Sequence, residues 1–263
     1  MSELNGAAFI TGAASGIGKA AAYALVQHGV RQVAIADVNF TAAQQVASDI
    51  ESQFAGTQAL ALALDVTNPD AIHEAITQTV ARFHRIDYAV NSAGIPGSMA
   101  YSSDHDLEAW HKTIDVDLHG VWMCSREEIR VMLTQEKLDD SPRSNRGVIV
   151  NLASMYGIVS PSRDLPIVSY TAAKHAVVGF TKIDALTYAP LGIRINALCP
   201  GTVDTPVVAA LPSEIIKREE AKFPLGRFAV PEEMADAIVF LLSPMSSYMY
   251  GSALVVDGGY SAQ

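Results

Sequence analysis

The chain has 263 residues, 49% of them apolar, with a net charge of −10, a pI of about 5.1 and a mean hydropathy of +0.20. That apolar content excludes a disordered polypeptide, and the acidic balance argues against nucleic acid or an anionic membrane as a partner. No apolar run approaches the roughly 18 residues of a membrane span, no targeting segment is read ahead of the first strand, and a cytoplasmic protein is expected.

The first strand is predicted over 7–11 (AAFIT), and it runs directly into Gly12, Ala13, Ala14, Ser15, Gly16, Ile17 and Gly18, with a helix over 16–28. Strand, glycine turn and helix in that order form the context of a dinucleotide loop. The glycines permit a tight turn and close backbone approach to a pyrophosphate, which rests on the helix N-terminus. A second strand over 32–36 ends at Asp37, 19 residues after Gly18, where a ribose-binding acid is expected. A carboxylate there repels a 2′-phosphate, so NAD(H) is favoured over NADP(H). The competing reading of Asp37 is a cap, with Thr41, on the helix predicted over 41–54. Lys19, the nearest cation, is expected to point outward from the first helical turn.

Further strands are predicted over 58–64, 86–91, 147–153, 193–198 and 253–256, with helices over 69–84, 107–135, 169–188 and 231–242. This alternation, with nearly continuous apolar strands, implies an α/β fold: a single-domain, Rossmann-type doubly wound parallel sheet with helices on both faces. Gly12, Asp37, Asp65, Asn91, Ser154 and Pro200 all fall at or just after strand ends, so they converge on the one edge where open α/β sheets bind ligands. No repeat or second-domain boundary interrupts residues 1–263. The polar stretch 136–146 reads as an exposed loop, and an amphipathic stretch within about 203–227 reads as a substrate lid.

Tyr170 and Lys174 lie four residues apart in SYTAAKHAVVGF, and Ser154 closes the apolar run GVIVNLAS. Helical i, i+4 spacing points the phenol and the ammonium the same way. The cation is expected to lower the phenol from its ordinary value near 10, towards the range of general acid–base catalysis. The serine hydroxyl can hold a carbonyl or alcohol oxygen. Of nine tyrosines, only Tyr170 has a lysine four residues on. Cys124 and Cys199 form no metal or disulfide spacing and read as reduced core thiols, and the seven histidines form no ligand pattern, so no metal site is expected.

Taken together, TGAASGIG (11–18), LDV (64–66), NSAG (91–94), the Ser154–Tyr170–Lys174 set, PGTVDTP (200–206) and VDGGY (256–260) resemble the motifs of the short-chain dehydrogenase/reductase family, in the family's order and across essentially the whole chain. The resemblance implies that Ser154, Tyr170 and Lys174 are catalytic and that Lys174 also binds the nicotinamide ribose. It implies adenine contacts at Asp65 and Val66, a cofactor-ribose role for Asn91 with Ala93 and Gly94 beside it, and a nicotinamide-side loop of Pro200, Gly201, Val203 and Thr205. Two positions depart from the pattern. Ser92 stands where the family usually has a second Asn, and Asp117, in IDVDLHGVW, stands where many members have a catalytic Asn.

The expected activity is NAD-dependent interconversion of a secondary alcohol and a ketone on a mostly apolar, polycyclic or terpenoid-like molecule. Met155, Tyr156, Ile158 and Val159, then Ile95, Pro96, Met99 and Tyr101, are read as apolar walls, and Arg163 and Asp164 as either substrate contacts or solvated loop charges. The SMYG context resembles members from microbial secondary-metabolite pathways. Two other classes stay open: a non-redox isomerase or cyclase on the same fold, with Asp117 as its hint, and an NAD(H)-sensing protein, which has no need to keep the three catalytic residues together. The helices over 107–135 and 169–188 resemble those through which family members pair, so a dimer or tetramer is expected.

Overall fold

The computed structural model describes residues 4–209 and 213–263. In chain order these form β1 (Ala7–Thr11), α1 (Gly16–Gln27), β2 (Gln32–Asp37), α2 (Phe40–Gln53), β3 (Gln58–Ala63), α3 (Pro69–Phe83) and β4 (Tyr88–Asn91). There follow α4 (Leu107–Ile114), α5 (Val121–Thr134), β5 (Gly147–Leu152), α6 (Val168–Tyr188), β6 (Ile193–Pro200), α7 (Pro206–Ala209), α8 (Ser213–Glu220), α9 (Pro231–Leu242) and β7 (Ala253–Val256). The strands make one parallel sheet in the order β3-β2-β1-β4-β5-β6-β7. The strand order reverses between β1 and β4, and that switch point opens a crevice at the carboxyl ends of the strands.

Strand alternation divides one apolar run between two cores. Ala8 and Ile10 of β1 and Val33 and Ile35 of β2 pack under α1, α2 and α9. Ala7 and Phe9, with Ala34 and Ala36, pack on the other face against α3 and α5. Because both faces are covered, the strands read as continuously apolar. Each fully buried Ile or Phe contributes about 1.5–3 kcal/mol. The helices start where capping chemistry allows. Asn39 Oδ1 accepts from Ala42 N at 3.1 Å, and Asn68 Oδ1 accepts from Asp70 N at 2.9 Å with Pro69 behind it at the first helical position. Asn39, not Asp37, therefore caps α2.

The single helix predicted over 107–135 is interrupted. A π-helical turn, Asp115–Gly120, joins α4 to α5. Such turns are uncommon and concentrate at functional positions. This one buries Asp117 completely and brings Gly120 so close to Val66 that a Cβ there would sit 2.7 Å from Val66 Cγ2. The segment read as a lid leaves the fold beside a bridge between Val203 and Ala229, where Asp204 N donates to Ala229 O at 2.8 Å. It carries α7 and α8, and residues 210–212 of it lie outside the described residues. Among the described residues, no helix is long and apolar enough to cross a membrane.

Candidate active site

The crevice is built from the ends of β1, β2 and β4. Gly12 leaves β1 with φ +65°, and a Cβ there would lie 2.8 Å from Ala93 N. Gly18, in the first turn of α1, faces the Gly12 carbonyl so closely that a Cβ would lie 2.4 Å from it. Thr11 Oγ1 accepts from Ser92 N at 3.1 Å and from Ala93 N at 3.2 Å, locking the ends of β1 and β4 together. The crevice they frame encloses about 870 Å³ and is lined by Gly12, Ser15, Gly16, Ile17, Asp37, Asp65, Val66, Ala93, Gly94 and Thr205, all expected from sequence. Helix α4 adds Glu108, His111 and Lys112, and the π-helical turn adds Asp115, none of which the sequence singled out. Asp37 Oδ2 accepts from Ala14 N at 3.0 Å and Oδ1 from Asn39 N at 2.9 Å, while Lys19 is exposed.

These residues fit a nicotinamide dinucleotide. The glycine turn admits no side chain, Ser15 makes no side-chain cap bond, and the first residues of α1 line the crevice, where helix N–H groups lack internal partners. A carboxylate closes the end of β2.

Of the expected cofactor residues, Gly18, Asn91, Tyr170, Lys174, Pro200, Gly201 and Val203 are not in the crevice wall. Pro200 is buried at the end of β6, Gly201 packs against Asp257, and Val203 is held in the bridge to Ala229. Asn91 does not present its side chain to the crevice. It is 1% exposed, and its side chain turns under the sheet, donating to Glu128 Oε2 at 2.9 Å and to Asn151 Oδ1 at 3.0 Å. An apolar-faced strand places alternate side chains on opposite sides, and Asn91 falls on the side of α5. Its partner Glu128 was legible as an acid in the inward i, i+4 row Cys124, Glu128, Met132.

Ser154, Tyr170 and Lys174, the trio expected from sequence, assemble beside Gly94, where a Cβ would come within 3.6 Å of Lys174 Nζ and 2.7 Å of Asp117 Oδ1. Helix α6 presents Tyr170 and Lys174 on one face, with the ammonium 5.4 Å from the phenol ring centroid. Ser154, just past β5, accepts from Tyr156 N at 3.1 Å, and its hydroxyl tends to lower the proton affinity of the Tyr170 phenol. Lys174 Nζ donates to Leu152 O at 3.1 Å and pairs with Asp117 Oδ1 at 3.1 Å, the two side chains being 5% and 0% exposed. Both Asp117 oxygens also lie 3.3 Å from Ile95 N. Asp117 is therefore engaged by Lys174 and the Ile95 amide, not free as an independent base.

The proton affinities differ from the sequence expectation. Burial pushes the Tyr170 phenol above its ordinary value; Lys174 pulls it back, Asp117 pushes it up again, and the net direction is upward. Burial alone lowers the Lys174 ammonium, but Asp117 and then Tyr170 hold it above its usual range, so it stays charged. The cation does act on the phenol as expected, but desolvation outweighs it.

Around the trio stands an apolar cluster of Met155, Tyr156, Ile167, Phe223 and Phe228, with Leu165, Ile216 and Tyr260 against it. Tyr260 packs on Tyr156 (5.9 Å between centroids) and Phe223 (5.1 Å). Lys222, in the segment read as a lid, donates to Glu219 Oε2 at 2.7 Å and Ser162 Oγ at 3.2 Å. Ile158, Met99 and Tyr101 are exposed, and the Arg163 and Asp164 side chains are 97% and 69% exposed.

Fold and site together define a dinucleotide-dependent oxidoreductase of the Rossmann type. A family model described as "Enoyl-(Acyl carrier protein) reductase" matches residues 12–261. Short-chain dehydrogenase fogB of Aspergillus ruber is 40% identical, covering 98% of this chain and 97% of its own. Cis-4-hydroxycyclohexanecarboxylate dehydrogenase of Sinomonas cyclohexanicum is 40% identical, with 97% and 96% covered. A solved short-chain type dehydrogenase/reductase from Mycobacterium marinum superposes with a TM-score of 0.89 at 35% identity, covering 99% of this chain and 98% of that one. The chain belongs to the short-chain dehydrogenase/reductase family, whose members use nicotinamide cofactors.

Proposed function

We propose that this protein interconverts a cyclic secondary alcohol and its ketone with NAD(H), using Tyr170 as the acid–base group. The observation that carries the proposal is the convergence of Ser154, Tyr170 and Lys174 beside a dinucleotide-sized crevice on one side and a largely apolar cluster on the other. Several relatives carry the names of ring-alcohol dehydrogenases, the Sinomonas protein among them, which favours a single functionalised ring over the larger polycycles expected from sequence.

Bound nicotinamide supplies the acceptor for the hydride leaving the alcohol carbon. Ser154 holds the substrate oxygen. Tyr170, as phenolate, takes the hydroxyl proton in oxidation and, as phenol, returns it in reduction. Lys174 has three N–H donors; Leu152 O and Asp117 occupy two, which leaves one for a cofactor ribose hydroxyl. Asp37, with no lysine or arginine in the glycine turn beside it, supports NAD(H) over NADP(H). The aromatic wall of Tyr156, Phe223, Phe228 and Tyr260 excludes water from the transfer and accepts a ring face. The exposed apolar side chains Trp122, Ile183 and Leu186 on α5 and α6 support self-association into a dimer or tetramer.

The test is nicotinamide absorbance during incubation with cyclohexanol-type alcohols and ketones. Tyr170→Phe should lower turnover by about 10²-fold or more while leaving NAD binding within a few-fold of wild type. Near-normal turnover in that variant would rule the mechanism out.

A further inference from the structure

The pairing of a buried carboxylate with the active-site lysine has a chemical consequence of its own. Asp117 and Lys174 are the most deeply buried ion pair among the described residues, at 0% and 5% side-chain exposure and 3.1 Å apart. A buried pair of this kind is strongly destabilised if one partner is removed, so the arrangement is maintained only by precise mutual placement. The π-helical turn aims Asp117 inward, Gly94 leaves the space for it, and the Ile95 amide holds its two oxygens. On the other side, Lys174 lies over the Tyr170 ring. The carboxylate is paired with the lysine, and its charge opposes the lysine's effect on the phenol.

We propose that the Asp117 carboxylate is a positioning residue that neutralises and anchors Lys174, and so sets the pH range over which Tyr170 changes from proton donor to proton acceptor. This rests on the reading of Tyr170 as the acid–base group. With its field largely cancelled by Asp117, Lys174 stabilises the phenolate less than a lone ammonium at that distance. Tyr170 is then kept in its phenol form across the neutral range, the form that donates a proton to a ketone. Oxidation of the alcohol, which requires the phenolate, gains rate only as the solution becomes alkaline.

The other titratable groups around the trio do not account for such an effect. Cys199 on β6 is a buried thiol that burial raises above its ordinary value, leaving it neutral. Tyr156, on the turn after Ser154, is likewise raised by burial and by Tyr260 beside it, and stays a neutral phenol. Glu219 of the lid acts on Tyr156, and Lys182 acts on Cys199; neither contributes to the shift of Tyr170. The charges that bear most on Tyr170 are those of Lys174 and then Asp117, with Cys199 a smaller influence in the same direction as Asp117.

The experiment compares wild type with Asp117→Asn, a neutral side chain of nearly the same shape. In the pH profile of kcat/KM for alcohol oxidation, the ascending limb should move to lower pH by about one unit or more in the variant, a gain of about tenfold at a fixed pH on that limb. A limb that stays in place or moves to higher pH overturns the proposal. A second measurement needs no change at Asp117. The near-ultraviolet tyrosinate titration of wild-type protein without cofactor, less that of Tyr170→Phe, isolates one phenol. Its ionisation should begin only above the ordinary tyrosine range near pH 10; ionisation well below that range refutes the cancellation. Loss of turnover in Tyr170→Phe together with an unmoved limb in Asp117→Asn would sink this inference alone. Retained turnover in Tyr170→Phe would sink the acid–base assignment beneath it.

Discussion

Glu128 gives a prediction in which stability reports on a single buried proton. The side chain is 0% exposed and, among the described residues, meets no cation and takes one hydrogen bond, from Asn91 Nδ2 at 2.9 Å. The same Asn91 amide reaches Asn151, whose own amide donates to Thr181 Oγ1 at 3.0 Å, so a buried polar chain runs from α5 through β4 and β5 to α6. Three atoms around it lack partners: Asn91 Oδ1, Glu128 Oε1 and Ser125 Oγ. A proton on Glu128 turns it into a donor amid these surplus acceptors. Burial accordingly pushes the carboxyl from its ordinary 4.5 up to about 8. The direction of the linkage follows from that displacement. Above the ordinary value the unfolded chain releases its proton while the folded chain keeps it, so stability falls as pH rises from about 4.5 to about 8 and is flat beyond. At pH 7 this amounts to about 3 kcal/mol. Glu128→Gln keeps an acceptor for Asn91, adds an N–H donor and removes the titration. The variant should be about 3 kcal/mol more stable than wild type near pH 7 and indistinguishable from it below about pH 4. Denaturant midpoints measured across that range provide the assay. A variant less stable than wild type at pH 7, or a difference that does not grow with pH, would refute the assignment of a neutral, buried Glu128.

Two predictions concern the cofactor crevice. Asp37→Ser removes the carboxylate that closes β2 while leaving a hydroxyl able to accept from Ala14 N; the ratio of kcat/KM for NADP over NAD should rise about tenfold or more, equal to about 1.4 kcal/mol, and an unchanged ratio in steady-state assays would show that Asp37 does not set the preference. Gly18→Ala places a Cβ 2.4 Å from the Gly12 carbonyl oxygen; about 1–3 kcal/mol of stability should be lost through overpacking, together with NAD affinity measured by calorimetry, and binding at wild-type strength would mean that the turn can open without affecting the cradle.

Most of the fold was legible in the chain because its signals are local. Apolar runs of strand length alternating with amphipathic stretches specify a parallel sheet covered on both faces. Asn39, Asn68 and Pro69 mark helix starts by chemistry that needs no distant partner. The glycine turn and the Tyr170–Lys174 spacing were equally readable, since both depend on residues within one turn of each other. Lys19 was correctly expected to face outward.

What the sequence left undecided depends on contacts between distant segments. The interruption of the helix predicted over 107–135 arises because Gly120 must approach Val66 and Asp117 must meet Lys174, 57 positions further along the chain. The turn of Asn91 away from the crevice follows from the pairing of β4 with β5 and from the place of Glu128 on α5. The upward direction of the Tyr170 phenol was invisible for the same reason: a neighbouring cation is a property of local spacing, whereas desolvation is a property of everything packed around the site. Sequence alone therefore determined the family, the sheet and the local spacing of Ser154, Tyr170 and Lys174. The tertiary structure decided which of the expected residues face the crevice and how strongly each holds its proton, because burial and long-range electrostatics exist only once the chain has closed on itself.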